Sequence, residues 1–379
     1  MDFCIRNAAV LLDGELRTGV DVRVRDGIIA QIGPSLSAPE TVNGEGLVLS
    51  PGFIDIHIHA IAGKECQDDD PDAIPHMARA LVRHGVTSFL PTTATETVQN
   101  LRRTLIRAAE WSGQDTGGAA VLGCHLEGPF LSMARKGAQR GDCILPPTRE
   151  NWLAIAEGYE KYVRIIAIAP ENPGALDLIG YLAGQGVTVS LAHTEADYET
   201  SMAAFDAGAR EATHLFNGMV PLAHRSPGVV GASLVRDGVA AEIIADLVHL
   251  HPGALALVVR SKGPAGVVLI SDAMAATDLP DGEYSLAGSK VFVRDRQARL
   301  QDGTLAGSTL TLEVAVRNMV RSVGVPLPQA LGMATINPAR QIGETRRGRI
   351  ETGCVADLVL LRGDLSVESV YVGGVRAKI

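Results

Sequence analysis

Pro51-Gly-Phe-Ile-Asp-Ile-His-Ile-His59 is an apolar run closed by two histidines two positions apart. Side chains at i and i+2 of a strand share a face and stand about 6.5 Å apart along the backbone. Two imidazoles so placed can converge on one divalent cation, at about 2.0–2.1 Å each when the cation is zinc. The same pattern also describes a strand end whose histidines bond only to water and backbone. What separates the two readings is whether further ligand types recur at other strand ends, and that depends on the fold.

From Pro51 to about Gly343 the sequence alternates strand, loop and helix. Strand-like runs fall at 52–59, 87–93, 119–126, 163–169, 187–193, 211–215, 240–248 and 266–271. Helix-like runs lie between most of them, such as 74–84 ending at Gly85, 98–111, and 175–185 ending at Gly186. Glycine just past a periodic run is the expected stop. Eight strands with intervening helices predict an α/β fold, a parallel (β/α)8 barrel of the TIM type. An open doubly wound sheet is the alternative, and no Gly-x-Gly-x-x-Gly follows the first strand to support it. Both chain ends read as short strands instead: 20–24, 27–32 after the Asp26-Gly27 turn, 47–49, 356–361, and 369–372 turning at Gly373-Gly374. They predict one small β-sandwich domain built from residues 1–50 and 345–379, flanking a barrel over 51–344. A segment near 282–303 reads as a β-hairpin inserted into the barrel.

Bulk properties narrow the function classes. The chain has 379 residues, 46% of them hydrophobic, ample for such a barrel and a second core. Lys and Arg number 34 against 43 Asp and Glu, a net charge of −9 with no basic block. A nucleic-acid surface is therefore not expected, although a pocket can be locally basic for a small anion. The cysteines Cys4, Cys66, Cys124, Cys143 and Cys354 include no Cys-x-x-Cys pair. That usage predicts a reduced, cytoplasmic protein without a zinc ribbon or disulfide framework. No signal-peptide pattern opens the sequence and no apolar stretch is long enough to span a bilayer, so no membrane partner is expected.

A barrel places chemistry where strands end and βα loops begin. Polar residues fall there repeatedly: His57 and His59 on the first strand, His125 and Glu127 on the third, His193 on the fifth, His214 and Asn217 on the sixth, His249 and His251 on the seventh, Asp272 on the eighth. Singly, each has a plain structural explanation, such as a hydrogen-bonded half-buried histidine or an Asp capping the next helix. Together they predict a metal centre. Imidazole and carboxylate suit zinc, iron or manganese. One ion could take Glu127, His193 and His214, and a second His57 and His59, sharing Glu127 or Asp272. A bound cation lowers the pKa of water to about 7, and an Asp beside it can carry the water proton to a leaving group. The reaction class is metal-assisted hydrolysis of a carbon–nitrogen bond.

These motifs resemble the amidohydrolase superfamily and, within it, the N-acetylglucosamine-6-phosphate deacetylase family. Besides the 51–59 run, the resemblance is carried by His125-Leu-Glu-Gly-Pro-Phe-Leu131, Lys136-Gly-Ala138, His214-Leu-Phe-Asn217, Ser271-Asp272-Ala273, Asp302-Gly-Thr-Leu-Ala-Gly-Ser-Thr-Leu310 and Gly353-Cys-Val-Ala-Asp-Leu-Val359. It implies Glu127, His193 and His214 as the main metal ligands and Asp272 as the acid/base. It implies a substrate of the N-acetyl amino sugar 6-phosphate type, N-acetylglucosamine 6-phosphate first and N-acetylgalactosamine 6-phosphate as the alternative. Asn217, Gly218 and Arg225 fall where the family meets the phosphate, the arginine crossing a homodimer interface. His249 matches a substrate-contacting histidine.

Three positions depart from the family pattern. Gln139 stands where a sugar-contacting histidine is usual, and Ala60 and Leu247 where glycine is usual. Glutamine donates and accepts hydrogen bonds but cannot become cationic. Rival readings are a cyclic-amide hydrolase, an aminohydrolase of the adenosine deaminase kind, and a non-catalytic sugar-phosphate binder. The first generally needs a lysine after the fourth strand, which ends in Ala169-Pro-Glu171. The second needs a glutamate at Ala196, and the third leaves Asp272 without a purpose.

Overall fold

The computed structural model describes residues 1–378. Its barrel strands are Phe53–Ile58, Val86–Thr93, Cys124–Phe130, Val163–Ile168, Thr188–Leu191, Glu211–Ala212, Ala240–Ile244 and Val267–Ile270. Each pairs in parallel with the next. Between last and first, closure is made at the mouth chiefly by backbone groups, with Ser271 and Asp55 side chains adding two longer bonds. The Asp272 N–H donates to the His57 carbonyl at 2.9 Å, and the His59 and Ala60 N–H groups share the Ala273 carbonyl at 3.1 and 3.0 Å. Two of the predicted site segments are thus stitched directly together. The strand interiors, including Ile56, Leu126, Ile166, Val189, Ile243 and Leu269, are fully buried. Continuous apolar runs of this kind are what a sheet covered on both faces requires.

The expected helices form at Ala73–Leu81 with a tight turn over Val82–His84, Val98–Trp111 and Ala175–Gly184. Thr97 caps the second by accepting the Asn100 N–H, and Gly85 stops the first at φ +77°. No helix among the described residues is long and apolar enough to cross a membrane.

Two expectations need correction. The run at 119–126 is not one strand. Ala120–Val121 pairs beside the second strand, and the third barrel strand begins only at Cys124. Gly123 breaks the run at φ +134°, where a Cβ would lie 2.5 Å from the Tyr162 carbonyl oxygen. The third strand therefore continues to Phe130, and Glu127 lies within it. The insertion is also more than a hairpin: Gly282–Leu286, Ser289–Arg294 and Gln297–Arg299 form a three-stranded meander. Its second turn has positive φ at both Asp295 and Arg296 (50° and 61°), a conformation usually announced by Asn-Gly or Asp-Gly. Arg296 hides that signal.

The two chain ends build a pair of sheets. One holds Asp2–Arg6, Asp21–Arg25, Ile28–Gly33 and Glu40–Asn43; the other brings Ala9–Leu12, Glu15–Arg17 and Val48–Pro51 against Leu358–Leu361, Val367–Val372 and Val375–Arg376. Val10, Val22, Val24, Leu49, Leu358 and Leu360 fill the space between them. The chain passes from this layer into the barrel at Gly52, whose N–H donates to the Asp357 carbonyl at 2.9 Å. A Cβ on Gly52 would lie 2.1 Å from Thr87 Oγ1 and 2.6 Å from Thr87 Cβ. Gly52→Ala is expected to destabilise the protein by about 1–3 kcal/mol through overpacking. Chemical denaturation checks this, and a loss below a few tenths of a kcal/mol would mean the crossing is not sterically tight.

Candidate active site

Glu127, 2% exposed, stands at the centre of the barrel mouth. Its two carboxylate oxygens divide four histidines unequally, Oε1 facing three and Oε2 one. Oε1 lies 2.9 Å from His214 Nε2 and 3.2 Å from His193 Nε2. Oε2 lies 3.3 Å from His59 Nε2, while His57 Nε2 is 3.6 Å from Oε1. Asp272 closes the group, with Oδ1 3.2 Å from His59 Nε2 and 3.6 Å from His57 Nε2. Glu127, His57, His59, His193, His214 and Asp272 therefore share one centre, although they come from five strands. Burial raises the Glu127 carboxyl, but the surrounding imidazoles outweigh it and hold the group well below the usual range. Asp272 is likewise raised by burial and lowered more by His59 and His57.

The far side of each ring shows what the cluster fits. His59 Nδ1 donates to the Thr92 carbonyl at 3.0 Å, and His193 Nδ1 to the Arg135 carbonyl at 2.8 Å. His57 Nδ1 bonds Glu242 Oε2 at 3.1 Å. Burial opposes a charge on every ring, but Asp272 and Glu127 raise His59 and Glu127 raises His193, whereas His57 and His214 are lowered. A metal ligand must be neutral, and with the proton on Nδ1 each ring would offer an unprotonated Nε2 to a cation. His57 Nε2 is buried with no hydrogen-bond partner, which fits such an occupant. The ligand atoms of Glu127, His193 and His214 lie within 4.8 Å of one another, and so do those of His57, His59 and Glu127. Carboxylates or carbonyls behind metal-binding histidines fix the tautomer in this way.

Three site residues owe their aim to an unusual backbone conformation. His193, His214 and Asp272 have φ of +43°, +31° and +49°. The left-handed region costs an ordinary residue about 1–2 kcal/mol. Each lies just beyond its strand, where the kink turns the side chain inward. Gly218 serves the same arrangement: at φ +62°, a Cβ there would stand 2.8 Å from His193 Nδ1.

A cavity of about 570 Å³ opens over this centre. Asn217, Gly218, His249 and Gln139 all line it, as expected. Arg225 does not; it lies on the exposed stretch 221–226. Asn217 also commits its amide to the turn, donating from Nδ2 to the His214 carbonyl at 3.1 Å. Gln139 differs most from its expected role. Its Nε2 donates to Glu127 Oε2 at 2.6 Å and its Oε1 accepts the Thr95 N–H at 2.6 Å. Both ends of the amide are engaged in holding Glu127. Arg135 and Arg299 carry no motif signal in the sequence, yet both line the cavity and set two positive charges against Glu127 and Asp272. Arg299 reaches it from the third strand of the insertion, the strand that a simple hairpin would lack.

Beneath the centre lie acids with no equivalent in the motif reading. Glu242 and Glu211 are fully buried side by side on adjacent strands. Burial pushes Glu242 up to about 8, and burial with the Glu242 charge raises Glu211 well above its ordinary value. The pair cannot ionise twice at neutral pH, and both shifts favour the protonated form behind His57. The signal that could find them is charge in otherwise apolar strands, Ala240-Ala-Glu242-Ile-Ile244 and Arg210-Glu211-Ala212.

Residues 48–377 match the amidohydrolase family. N-acetylglucosamine-6-phosphate deacetylase of Lysinibacillus sphaericus is 36% identical, over 100% of this chain and 98% of the relative. N-acetylgalactosamine-6-phosphate deacetylase of Escherichia coli O157:H7 is 39% identical over 93% of each. Among solved structures, a mutant N-acetyl-D-glucosamine-6-phosphate deacetylase from Mycobacterium smegmatis, in complex with N-acetyl-D-glucosamine-6-phosphate, superposes with a TM-score of 0.94. It is 32% identical and covers 100% of both chains.

Glu242→Leu removes the acceptor for His57 Nδ1. Zinc titration by calorimetry is expected to show affinity at the His57–His59 pair reduced about 10- to 100-fold, with binding at Glu127, His193 and His214 retained. Unchanged affinity at both would remove Glu242 from any part in metal binding.

Proposed function

The chain belongs to the amidohydrolase family, and from that premise we propose that this cavity hydrolyses the acetamide of N-acetylglucosamine 6-phosphate to acetate and the free amino sugar phosphate. The protein is a metal-dependent amidohydrolase. The observation that carries the reading is a single buried carboxylate, Glu127, set between two histidine pairs with Asp272 at the cavity wall. The same observation weighs against the cyclic-amide alternative, because Glu127 is common to both candidate ligand groups and would take the place for which such enzymes use a modified lysine.

When bound, a divalent cation, zinc by its fit to an imidazole-rich set, would supply a water of pKa near 7 and a Lewis acid for the acetyl carbonyl. Glu127, His193 and His214 would hold one ion, and His57 and His59 with Glu127 would suit a second. Asp272 takes the proton from the attacking water and delivers it to the departing nitrogen, making a good leaving group of the amine. His249 faces the acetamide from the seventh strand, and Asn217 and Gly218 line the sugar phosphate side. Residues 51–344 carry this chemistry, and the small sheets at the chain ends buttress it.

The phosphate reading draws on Arg225. A guanidinium fork pairs with phosphate oxygens in plane. Arg225 is exposed and outside its own cavity, which supports a place for it at the site of a second copy in a homodimer. The five cysteines are all unpaired, which supports a reducing, cytoplasmic setting.

Acetate release from N-acetylglucosamine 6-phosphate, its galactosamine epimer and both unphosphorylated sugars tests the reading directly. The first is expected to give the highest kcat/KM, and no release from any would end it. Asp272→Asn is expected to lower kcat by at least about 100-fold while metal content stays near that of the native protein; near-normal turnover would discard the proton-carrier role. Arg225→Ala is expected to raise KM for the phosphorylated sugar and leave the unphosphorylated one nearly unchanged. Mixing Arg225→Ala chains with Asp272→Asn chains restores activity only if Arg225 acts across the interface, because one intact site then forms in each mixed dimer.

A further inference from the structure

The seventh barrel strand, Ala240–Ile244, runs out into a short turn at 245–251 that is built around one carboxylate. Asp246 Oδ1 accepts the Val248 and His249 N–H groups at 2.9 and 2.8 Å. Its other oxygen, Oδ2, accepts from His249 Nδ1 at 2.7 Å. Between them sits Leu247 at φ +66°, one of the positions where the related family usually has glycine. A leucine in that conformation costs about 1–2 kcal/mol, so something must hold the turn. The three bonds to Asp246 do so. Burial alone would raise the Asp246 carboxyl, but His249 and the two backbone N–H groups bring it below its ordinary value.

The ring so held is a cavity residue. The His249 side chain is 5% exposed and lines the wall shared by Glu127 and Asp272. Its Nε2 has no hydrogen-bond partner among the described residues, whereas Nδ1 is fully committed. A carboxylate only accepts hydrogen bonds, so the proton of the neutral ring is fixed on Nδ1. The nitrogen left for a ligand is then Nε2. In the neutral ring it accepts from a hydroxyl or amide N–H; it donates only when the ring is cationic.

We propose that Asp246 is a positioning residue for the deacetylation, locking His249 with Nδ1 as donor so that Nε2 is the nitrogen offered to the substrate. The proposal rests on the reading of this cavity as a deacetylase site in which His249 meets the substrate. It assigns Asp246 a part in turnover without contact to metal or sugar. It also explains how the chain carries leucine at 247: the side-chain bonds that aim the histidine are the ones that hold the strained turn.

The test is Asp246→Asn in the metal-loaded enzyme. An asparagine keeps one acceptor for the two backbone N–H groups and turns its NH2 toward Nδ1. The ring must then place its proton on Nε2. Nitrogen spectra of 15N-ring-labelled His249 are expected to switch from the Nδ1–H to the Nε2–H form. With N-acetylglucosamine 6-phosphate, kcat is expected to fall about 10- to 100-fold, as for other groups that orient a site residue from behind. KM should change less than about threefold, since an interaction made in the transition state is what is lost. Melting temperature and metal content should stay native.

His249→Ala supplies the second arm: it removes the ring and its bond to Asp246 but keeps both backbone N–H bonds to that carboxylate. It is expected to lose at least as much kcat as Asp246→Asn, and the double variant Asp246→Asn/His249→Ala to lose no more than His249→Ala alone. Losses that multiply in the double variant would show that Asp246 acts independently of His249 and overturn the proposal. So would native turnover in either single variant, or a ring that keeps its proton on Nδ1 in Asp246→Asn. Failure of the wider reading looks different: the native protein itself would then release no acetate.

Discussion

Glu127 is a carboxylate withdrawn from water and surrounded by four imidazoles, and most of the molecule is arranged so that this can be stable. Burying an ionised group costs several kcal/mol unless it is paired and its lone pairs are met. Here Gln139 meets one oxygen directly, and the histidines and the cations they suit meet the rest. Each of three histidines is braced from behind in turn: His59 by the Thr92 carbonyl, His193 by the Arg135 carbonyl and His57 by Glu242. Thr92 belongs to the second strand and Arg135 to a turn beyond the third. The site is therefore not a set of side chains placed on a finished barrel. Its braces are backbone carbonyls of a barrel strand and a following turn, with one buried carboxyl from the seventh strand.

That dependence runs in both directions. The last and first strands are joined at the mouth through the His57 carbonyl and Asp272 N–H, the same two residues whose side chains enter the centre. Residues at positive φ there would relax if the surroundings allowed it. They are held because the packed interior beneath them, Ile56, Ile58, Leu126 and Ile270 among it, leaves no alternative path for the chain. Strain near the chemistry is tolerated because the core below is apolar, continuous and covered on both sides.

The sequence made the eight strands and the helices between them legible because a fully buried parallel strand has a simple signature, a short apolar run bounded by turn residues. It made Glu127, His193, His214, His57, His59 and Asp272 legible because they recur at equivalent places along that alternation. What stayed hidden depends on contacts distant in sequence. Gln139 reads as a sugar-facing position until the Thr95 N–H and Glu127 are seen on either side of its amide. The break at Gly123 depends on the Tyr162 carbonyl, a full helix and strand spacing further along the chain, and no local propensity encodes it. The third strand of the insertion rests on a turn whose residues, Asp295 and Arg296, lack the glycine that marks its kind. Arg299 is hidden with it.

Charge supplies the last constraint. The chain as a whole is acidic, and Glu127 and Asp272 are both buried at the centre. One divalent cation would only neutralise these two carboxylates, next to a substrate that is itself an anion. Two would make the centre positive. Arg135 and Arg299 at the cavity wall shift the local balance the same way, and an arginine from a second copy would shift it further. In a low-dielectric cavity such differences act at close range with little screening. Retention of both His57 and His59 is thus coherent with a phosphorylated substrate: the second histidine pair allows the centre to be positive where the substrate is negative, inside a protein whose outer surface is not.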